Sequence, residues 1–513
     1  MTKAHAVVVG AGIAGLTAAI DLAVAGFDVT VVERAPSPGG KMRQVQAGGA
    51  VIDAGPTVLT MARVFEELFA SAGAKLSDYV SLEPLQILAR HAWTDGSILD
   101  LFADRERSAS AIAKFSDARE ADGFLKFCKR AEGIFKTLED SFIRSESPTP
   151  VSLALQSGIT GLGDLWRISP FTTLWSALGN SFRDPRLRQL FGRYATYCGS
   201  SPFEAPATLM LVADVERQGV WTVNGGMQRL AAALAALATD RGVVFRYDSD
   251  VTGVVVTPSG VQGVTLTGGE TVPASFVVLN ADPEAVAGGH FGRDAKGAVS
   301  VAANAVRSLS AITVALTAKT KGFPLHRHNV FFSSDYKREF DDIFKARRLP
   351  TDPTIYICAS DRHDWYDAAF EDRERLLCLI NAPAIGDTYS FGSGEIQQCL
   401  DRMFAQLKRY GLDVDTTSEE KIITTPNGFN HLFPATGGAL YGQASHGWTA
   451  SFNRPHARTK IPHLYLAGGA THPGPGVPMA ALSGRFAARA ATADRDSQRR
   501  LIGMATPGGT STP

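Results

Sequence analysis

The stretch VVVGAGIAGLTAA, Val7 to Ala19, places Gly10, Gly12 and Gly15 at GxGxxG spacing between a valine run and an alanine-rich run. Ala6 to Val9 reads as a buried β-strand. Ile13, Leu16, Ile20 and Ala23 recur near helical spacing, so Ile13 to Ala25 reads as a helix closed by Gly26. Val29 to Val32 is a second β run, and Glu33 ends it. Strand, glycine turn, helix, strand and acid, in that order, define a dinucleotide-binding unit and an α/β fold class. Gly10 permits the tight turn, Gly12 lets backbone approach a pyrophosphate, and Gly15 lets helix and strand pack closely. Ile13 and Ala14 open the helix, whose free N–H groups and positive dipole face the phosphates. Glu33 lies 21 residues after Gly12 and can accept hydrogen bonds from ribose hydroxyls. Its charge would repel a 2′-phosphate, which argues against NADP. The apolar stretch Ala4 to Val32 is not read as a signal peptide or a membrane span, because it carries Gly10, Gly12, Gly15, Asp21, Gly26 and Asp28.

Two further blocks bear on the cofactor. RAPSPGGKMR, Arg34 to Arg43, combines Gly39 and Gly40 with Lys41 and Arg43, flexible backbone and two cations for a second approach to a phosphate. IDAGPTV, Ile52 to Val58, puts Gly55, Pro56 and Thr57 in a turn expected near the cofactor. Near the other end, LYLAGGATHPGPGVPMAALSGRFAAR runs from Leu464 to Arg489. It reads as a strand, a loop holding Gly468, Gly469 and Gly476, and an alanine-rich helix opened by Val477 and Pro478. A second helix N-terminus of this kind fits the ribityl-phosphate arm and pyrimidine ring of a flavin.

Together these blocks resemble the FAD-dependent carotenoid desaturases of the bacterial phytoene desaturase type, over Val7 to about Arg489. RHAWTDGSILDLFAD (Arg90 to Asp104), with IDAGPTVLTMARVFEELF upstream, is most similar to the 1-hydroxycarotenoid 3,4-desaturases, also called methoxyneurosporene dehydrogenases. The resemblance implies FAD as cofactor. It also implies a Rossmann-like FAD-binding domain of the flavin amine oxidase and GDP-dissociation-inhibitor type, interleaved with a mixed α+β substrate domain. It puts the backbone of Val251 against the adenine. One departure concerns Ala470, which follows Gly469 where many flavoproteins of the superfamily carry an acid that holds the ribitol.

The FAD-binding domain is expected from 1–90, 205–290 and 455–495, and the substrate domain from 91–204 and 291–454. Within the middle piece, Met227, Leu230, Leu234 and Leu237 share a helix face, and Val251 to Thr257 and Val261 to Thr267 form a hairpin through Pro258, Ser259 and Gly260. The small, polar tail 500–513 is expected to be disordered. Gly161 to Phe182 offers Leu162, Leu165, Trp166, Phe171, Leu174, Trp175 and Leu178. That surface packs in the substrate domain or meets a membrane interface where an apolar substrate enters.

Composition narrows the classes. Lys+Arg and Asp+Glu number 51 each in 513 residues, without the basic excess that a nucleic-acid partner would leave. The five cysteines, Cys128, Cys198, Cys358, Cys378 and Cys399, show no CxxC spacing, so neither a disulfide framework nor a metal site is expected, and a cytoplasmic setting follows. The resemblance adds peripheral contact with a membrane surface.

A carotenoid end group has no ionisable handle, so desaturation means hydride loss from an allylic carbon to the flavin and proton loss from its neighbour. The absence of a Ser-His-Asp or paired-carboxylate constellation agrees with that chemistry. Asp53, His91, Asp95 and His472 are candidate proton acceptors by neighbourhood, each with a structural role as the alternative, and no catalytic residue is assigned. Oxygen or a quinone would reoxidise the flavin. Phytoene or neurosporene desaturation, another flavin oxidase such as an amine oxidase, and a non-enzymatic prenyl-lipid carrier remain the competing readings. The intact glycine set, Glu33 and the late glycine loop favour a bound flavin over the carrier.

Overall fold

The computed structural model describes residues 3–149, 171–302, 305–363, 373–416 and 421–504. At its centre is a five-stranded parallel sheet. Its elements in chain order are β1 (His5–Val9), α1 (Ile13–Val24), β2 (Asp28–Val32), α2 (Gln228–Asp240), β3 (Val244–Arg246), β4 (Phe276–Leu279), β5 (Leu464–Leu466) and α3 (Val477–Met504). The strand order β3-β2-β1-β4-β5 brings the two ends of the chain into one sheet. β1 is apolar on both faces because both are covered. Ala6 and Val8 pack in a core with α1, α2 and α3, while Val7 and Val9 pack on a three-stranded antiparallel meander, Val251–Thr257, Gly260–Leu266 and Thr271–Pro273.

Small residues set how close the helices come. Along α1 the sequence IAGLTAAIDLAV buries nine residues, four of them Ala or Gly. A Cβ at Gly484 of α3 would lie 2.0 Å from the Ala14 carbonyl oxygen and 2.2 Å from Thr17 Oγ1. The Thr17 hydroxyl donates within α1 and also reaches Ala481 O at 3.1 Å. Across this seam Arg485 donates to Asp21 at 3.0 Å, an ion pair mostly removed from solvent.

A second, seven-stranded sheet has the spatial order Ile422–Thr424, Ser310–Ala318, Glu374–Ala382, Ile355–Ala359, His328–Phe331, Ile87–Ala92 and Ile98–Phe102. Ser310–Ala318 is buried at every position, as a central strand covered on both faces requires. The helix Ser393–Arg409 covers one side with Ile396, Leu400, Met403 and Leu407. The hairpin Gln44–Ala47/Ala50–Asp53 packs on the other through Ala47 and Ile52. Helices Arg105–Phe115, Ala118–Leu138 and Pro185–Gly192 form an aromatic-rich core beside it, with Phe127, Phe182 and Phe191 in mutual ring contact.

Element boundaries differ from the sequence expectations in places. The boundary at residue 90 falls inside the strand Ile87–Ala92, which belongs to the seven-stranded sheet. Helix α3 continues to Met504, past the expected start of the tail. Most of the aromatic stretch 161–182, including Leu162, Leu165 and Trp166, lies outside the described residues. Its remainder holds Leu174 and Leu178 buried in a short helix and Phe171 exposed.

Candidate active site

The carboxyl ends of β1, β2, β4 and β5 open into a cavity of about 960 Å³ that extends to the seven-stranded sheet. Ligands of open parallel α/β sheets bind at this edge, where crossovers leave a crevice. Gly10, Gly12, Ile13, Ala14, Glu33, Arg34, Gly39, Gly40, Lys41, Arg43, Gly55, Pro56, Thr57, Val251, Gly468, Gly469, Gly476, Val477 and Pro478 all line it. Gly15 lies behind the wall. A Cβ there would come 2.0 Å from Gly10 O, so its role is the close contact of helix and strand.

The two glycine loops are built against each other. Gly39 N donates to Ala11 O at 2.9 Å, and Gly12 bridges Gly39. Gly39 and Gly40 have φ of +135° and +57°, and a Cβ on Gly40 would come 3.2 Å from Gly12 Cα. Glu33 is 8% exposed and holds this corner, accepting from Ala11 N at 2.6 Å and Ala35 N at 2.8 Å. Each carboxylate oxygen keeps a second lone pair, so a ribose hydroxyl remains within its capacity.

Lys41 and Arg43 line the cavity, but their charged heads turn to another part of the chain. Lys41 Nζ donates to Leu440 O at 2.7 Å and lies 5.3 Å from the Phe433 ring centroid. Burial pushes the Lys41 ammonium below its usual range, and the neighbouring Asp282 opposes that shift. Arg43 Nη2 donates to the Thr424 hydroxyl at 2.8 Å. These contacts come from chain some 400 residues away, which local spacing does not register.

Residues without a motif complete the site. Asn280, just past β4, accepts from Gly15 N at 3.1 Å and donates to Ala467 O at 3.0 Å, so one side chain ties the first glycine loop to the last strand. Asp282 lines the cavity and caps a short helix through Glu284 N at 3.0 Å. Arg454 donates to Tyr441 O and Gln443 O at 3.1 and 2.7 Å, holding the loop whose Gly442 faces Ala470. The apolar run ending in LNADP at Asp282 was the one signal available for the first two; nothing marked Arg454.

None of the four candidate proton acceptors lines the cavity. Asp53 accepts from Met227 N at 2.7 Å at the start of α2. Asp95 is an exposed turn residue bound by Ser97. His91 meets Leu99 O at 3.3 Å, and His472 meets Ser145 O at 2.8 Å and stacks on Phe486. Among the described residues, the carboxylates that line the cavity are Glu33, Glu216, Asp250 and Asp282.

The buried histidines carry a stability consequence. Burial pushes His91 and His328 down to about 3, and His446 and His472 down to about 4, from 6.5. The unfolded chain binds protons that these imidazoles refuse, so their contribution is full above pH 6.5 and is lost as pH falls through 4 toward 3. Urea midpoints measured between neutral and acid pH should fall steeply; a flat profile would show that the imidazoles titrate normally.

The chain matches known proteins over nearly its whole length. Residues 13–492 match the sequence profile of the flavin containing amine oxidoreductases. The chain is 52% identical to the hydroxyneurosporene desaturase of Rubrivivax gelatinosus, covering 99% of this chain and 96% of that protein. It is 43% identical to the hydroxyneurosporene desaturase of Cereibacter sphaeroides, covering 96% and 98%. Among solved structures, putrescine oxidase bound to putrescine superposes with a TM-score of 0.58 at 16% identity, covering 97% of this chain and 99% of that one, a likeness of fold alone. Profile and identity extend over nearly the whole chain, and the chain belongs to the flavin containing amine oxidoreductase family and, within it, to the carotenoid desaturases.

Proposed function

We propose that the protein is an FAD-dependent desaturase that introduces the 3,4 double bond of a 1-hydroxylated carotenoid. The observation that carries this reading is a single cavity reaching from the paired glycine loops into an apolar interior walled by Leu209, Val212, Val215, Val330, Leu377 and Leu379. A long polyene needs such a passage, and a small charged amine does not. The relatives named hydroxyneurosporene desaturase support the substrate class.

The residues fit FAD. Gly12 leaves room that a Cβ would take, with Asn280 Oδ1 only 2.6 Å from that point. Glu33 suits the ribose and the α1 N-terminus suits the pyrophosphate. At the far side, the N-terminus of α3 at Gly476, Val477 and Pro478 suits the electron-rich pyrimidine edge of a flavin. Bound flavin supplies the two-electron acceptor for a hydride. The chain's share is alignment and dryness: apolar walls fix the polyene and keep water from the allylic carbon while the neighbouring carbon gives up its proton.

Denatured protein should release FAD, identified by chromatography against FMN and NAD standards. Holoenzyme given a 1-hydroxylated polyene in lipid should yield a product absorbing at longer wavelength. Release of NAD, or an unchanged spectrum, would refute the reading.

An apolar substrate also needs a way in from lipid. No helix among the described residues is long and apolar enough to cross a membrane. Trp448 lines the cavity yet is 41% exposed, and it packs edge-on at 5.4 Å against Phe171, which is 74% exposed. Exposed aromatics at a cavity mouth favour the membrane interface. The pair Phe171→Ser and Trp448→Ser should weaken co-sedimentation with phosphatidylcholine vesicles severalfold; undiminished binding would place membrane contact elsewhere.

A further inference from the structure

The cavity wall contains a cluster of polar groups, some of them carried on tyrosines whose rings pack in the aromatic core, that the cofactor cradle described above does not use. Arg193 and Tyr197 lie on the turn Arg193–Cys198, Glu216 on the helix Leu211–Arg217, Tyr336 on the helix Tyr336–Phe340 and Tyr356 on the strand Ile355–Ala359. All five line the same cavity. Glu216 is 4% exposed and accepts from Tyr197 at 2.7 Å and from Tyr194 at 2.5 Å. Arg193 Nη2 donates to the Tyr197 hydroxyl at 3.2 Å. The carboxylate and the tyrosines keep the Arg193 guanidinium charged against the burial that works to neutralise it. Tyr356 is saturated, meeting Thr57 at 2.6 Å and His328 at 2.7 Å.

Two groups in this cluster are left over. Arg193 Nε and the Tyr336 hydroxyl are both buried and have no hydrogen-bond partner. Buried polar groups without partners are rare in native proteins and call for an explanation. Here both belong to residues of the cavity wall, so a ligand can supply what the chain does not. Tyr356 ties the cluster to the cofactor end. Thr57 contacts Tyr356, and Gly55 packs on Lys41, where a Cβ would come 1.9 Å from the Lys41 carbonyl oxygen. Lys41 in turn follows the Gly39–Gly40 loop that touches Gly12.

This location matches a constraint set by the substrate. In a 1-hydroxylated polyene the carbinol carbon is two bonds from C3. Whatever reads the hydroxyl therefore stands beside the reacting bond, and a polar group at a distant end of the passage would not reach it. Resting on the function proposed above, we infer that Arg193 and Tyr336 form the recognition site for the tertiary hydroxyl of the substrate, with Tyr197 and Glu216 positioning Arg193. Arg193 Nε donates to the carbinol oxygen. The Tyr336 hydroxyl takes the complementary role, accepting from an alcohol. An arginine donor also serves an ether oxygen, which can only accept, so a 1-methoxy end group falls in the same ligand class. The Glu216 carboxylate offsets the guanidinium charge close to a carbon that gives up hydride, where an unbalanced cation would oppose the reaction.

The test compares kcat/KM for two polyenes in phosphatidylcholine vesicles, alike except that one lacks the 1-hydroxyl, using flavin-loaded enzyme. A site whose polar groups are left unpaired by the wrong substrate discriminates strongly, so wild type should prefer the hydroxylated polyene on the order of 100-fold or more. Tyr336→Phe breaks no hydrogen bond within the protein, and Arg193→Lys keeps the charge while removing the Nε donor. Each should lower the preference about 10-fold, mainly by raising KM for the hydroxylated polyene, with flavin content per chain unchanged. An unchanged preference in both variants, or an equal loss on both polyenes, would overturn the assignment. Failure of wild type to desaturate the hydroxylated polyene would instead bring down the proposed function, and this inference with it.

Discussion

Gly12→Val is expected to give a protein that folds but retains no flavin. The backbone at this point is ordinary, with φ of −71° and ψ of 172°, so the constraint is space and not conformation. A Cβ at Gly12 would stand 2.6 Å from Asn280 Oδ1, at the mouth of the cleft where the proposed pyrophosphate site meets the start of α1. Two branched methyl groups there fill the cradle. Visible flavin absorbance per chain after gel filtration reads the result, and occupancy equal to wild type would disprove the assigned pose. Because the same Cβ also presses on Asn280, the pair Gly12→Ala and Asn280→Ala separates two causes. Recovery of flavin in the pair would mean that the space belongs to Asn280 and not to the cofactor. Continued loss would assign it to the pyrophosphate.

Gly484→Val should act on the fold itself, by about 3–5 kcal/mol of stability, with Gly484→Ala already strongly destabilising. The obstruction is the Ala14 carbonyl oxygen, 2.0 Å from a Cβ at 484, and a helix backbone cannot turn aside as a side chain can. The seam between α1 and α3 would have to open, and with it the Arg485–Asp21 ion pair and the Thr17 contact to Ala481. Urea unfolding of the two variants measures the cost. A midpoint indistinguishable from wild type for Gly484→Ala would show that the two ends of the chain do not pack as described. The Gly12 and Gly484 substitutions thus probe one cradle from its two sides. The first blocks its contents and the second its assembly.

The legible parts of the sequence were those whose causes are local. Gly10, Gly12 and Gly15 announce a turn, an open approach and a close contact because each depends on the few residues around it. The runs at β4 and β5 are apolar throughout, and those at β1 and β2 are apolar but for His5, Asp28 and Thr30, as strands covered on both faces require. The late loop was readable for the same reason, since Gly468 and Gly476 take φ of +149° and +119°, values that other residues rarely adopt. Lys41 and Arg43 show the limit. Their spacing after a glycine pair pointed to phosphate, yet Leu440 and Thr424, remote in sequence, hold their charged heads. The proton-acceptor candidates mark the same limit, because Asp53 serves the start of α2, a contact across 174 residues.

From residue order alone came the dinucleotide unit, the need for a second glycine-rich element and the family, because each is written in contiguous stretches under steric rule. Folding in three dimensions decided which polar groups share the cavity. Arg193, Tyr197, Glu216, Tyr336 and Tyr356 come from four separate elements and meet only when the seven-stranded sheet and its helices close over the cleft. Their partners are chosen by burial and by the demand that buried hydrogen-bonding groups be satisfied. Those forces act between distant segments and leave no periodic trace along the chain.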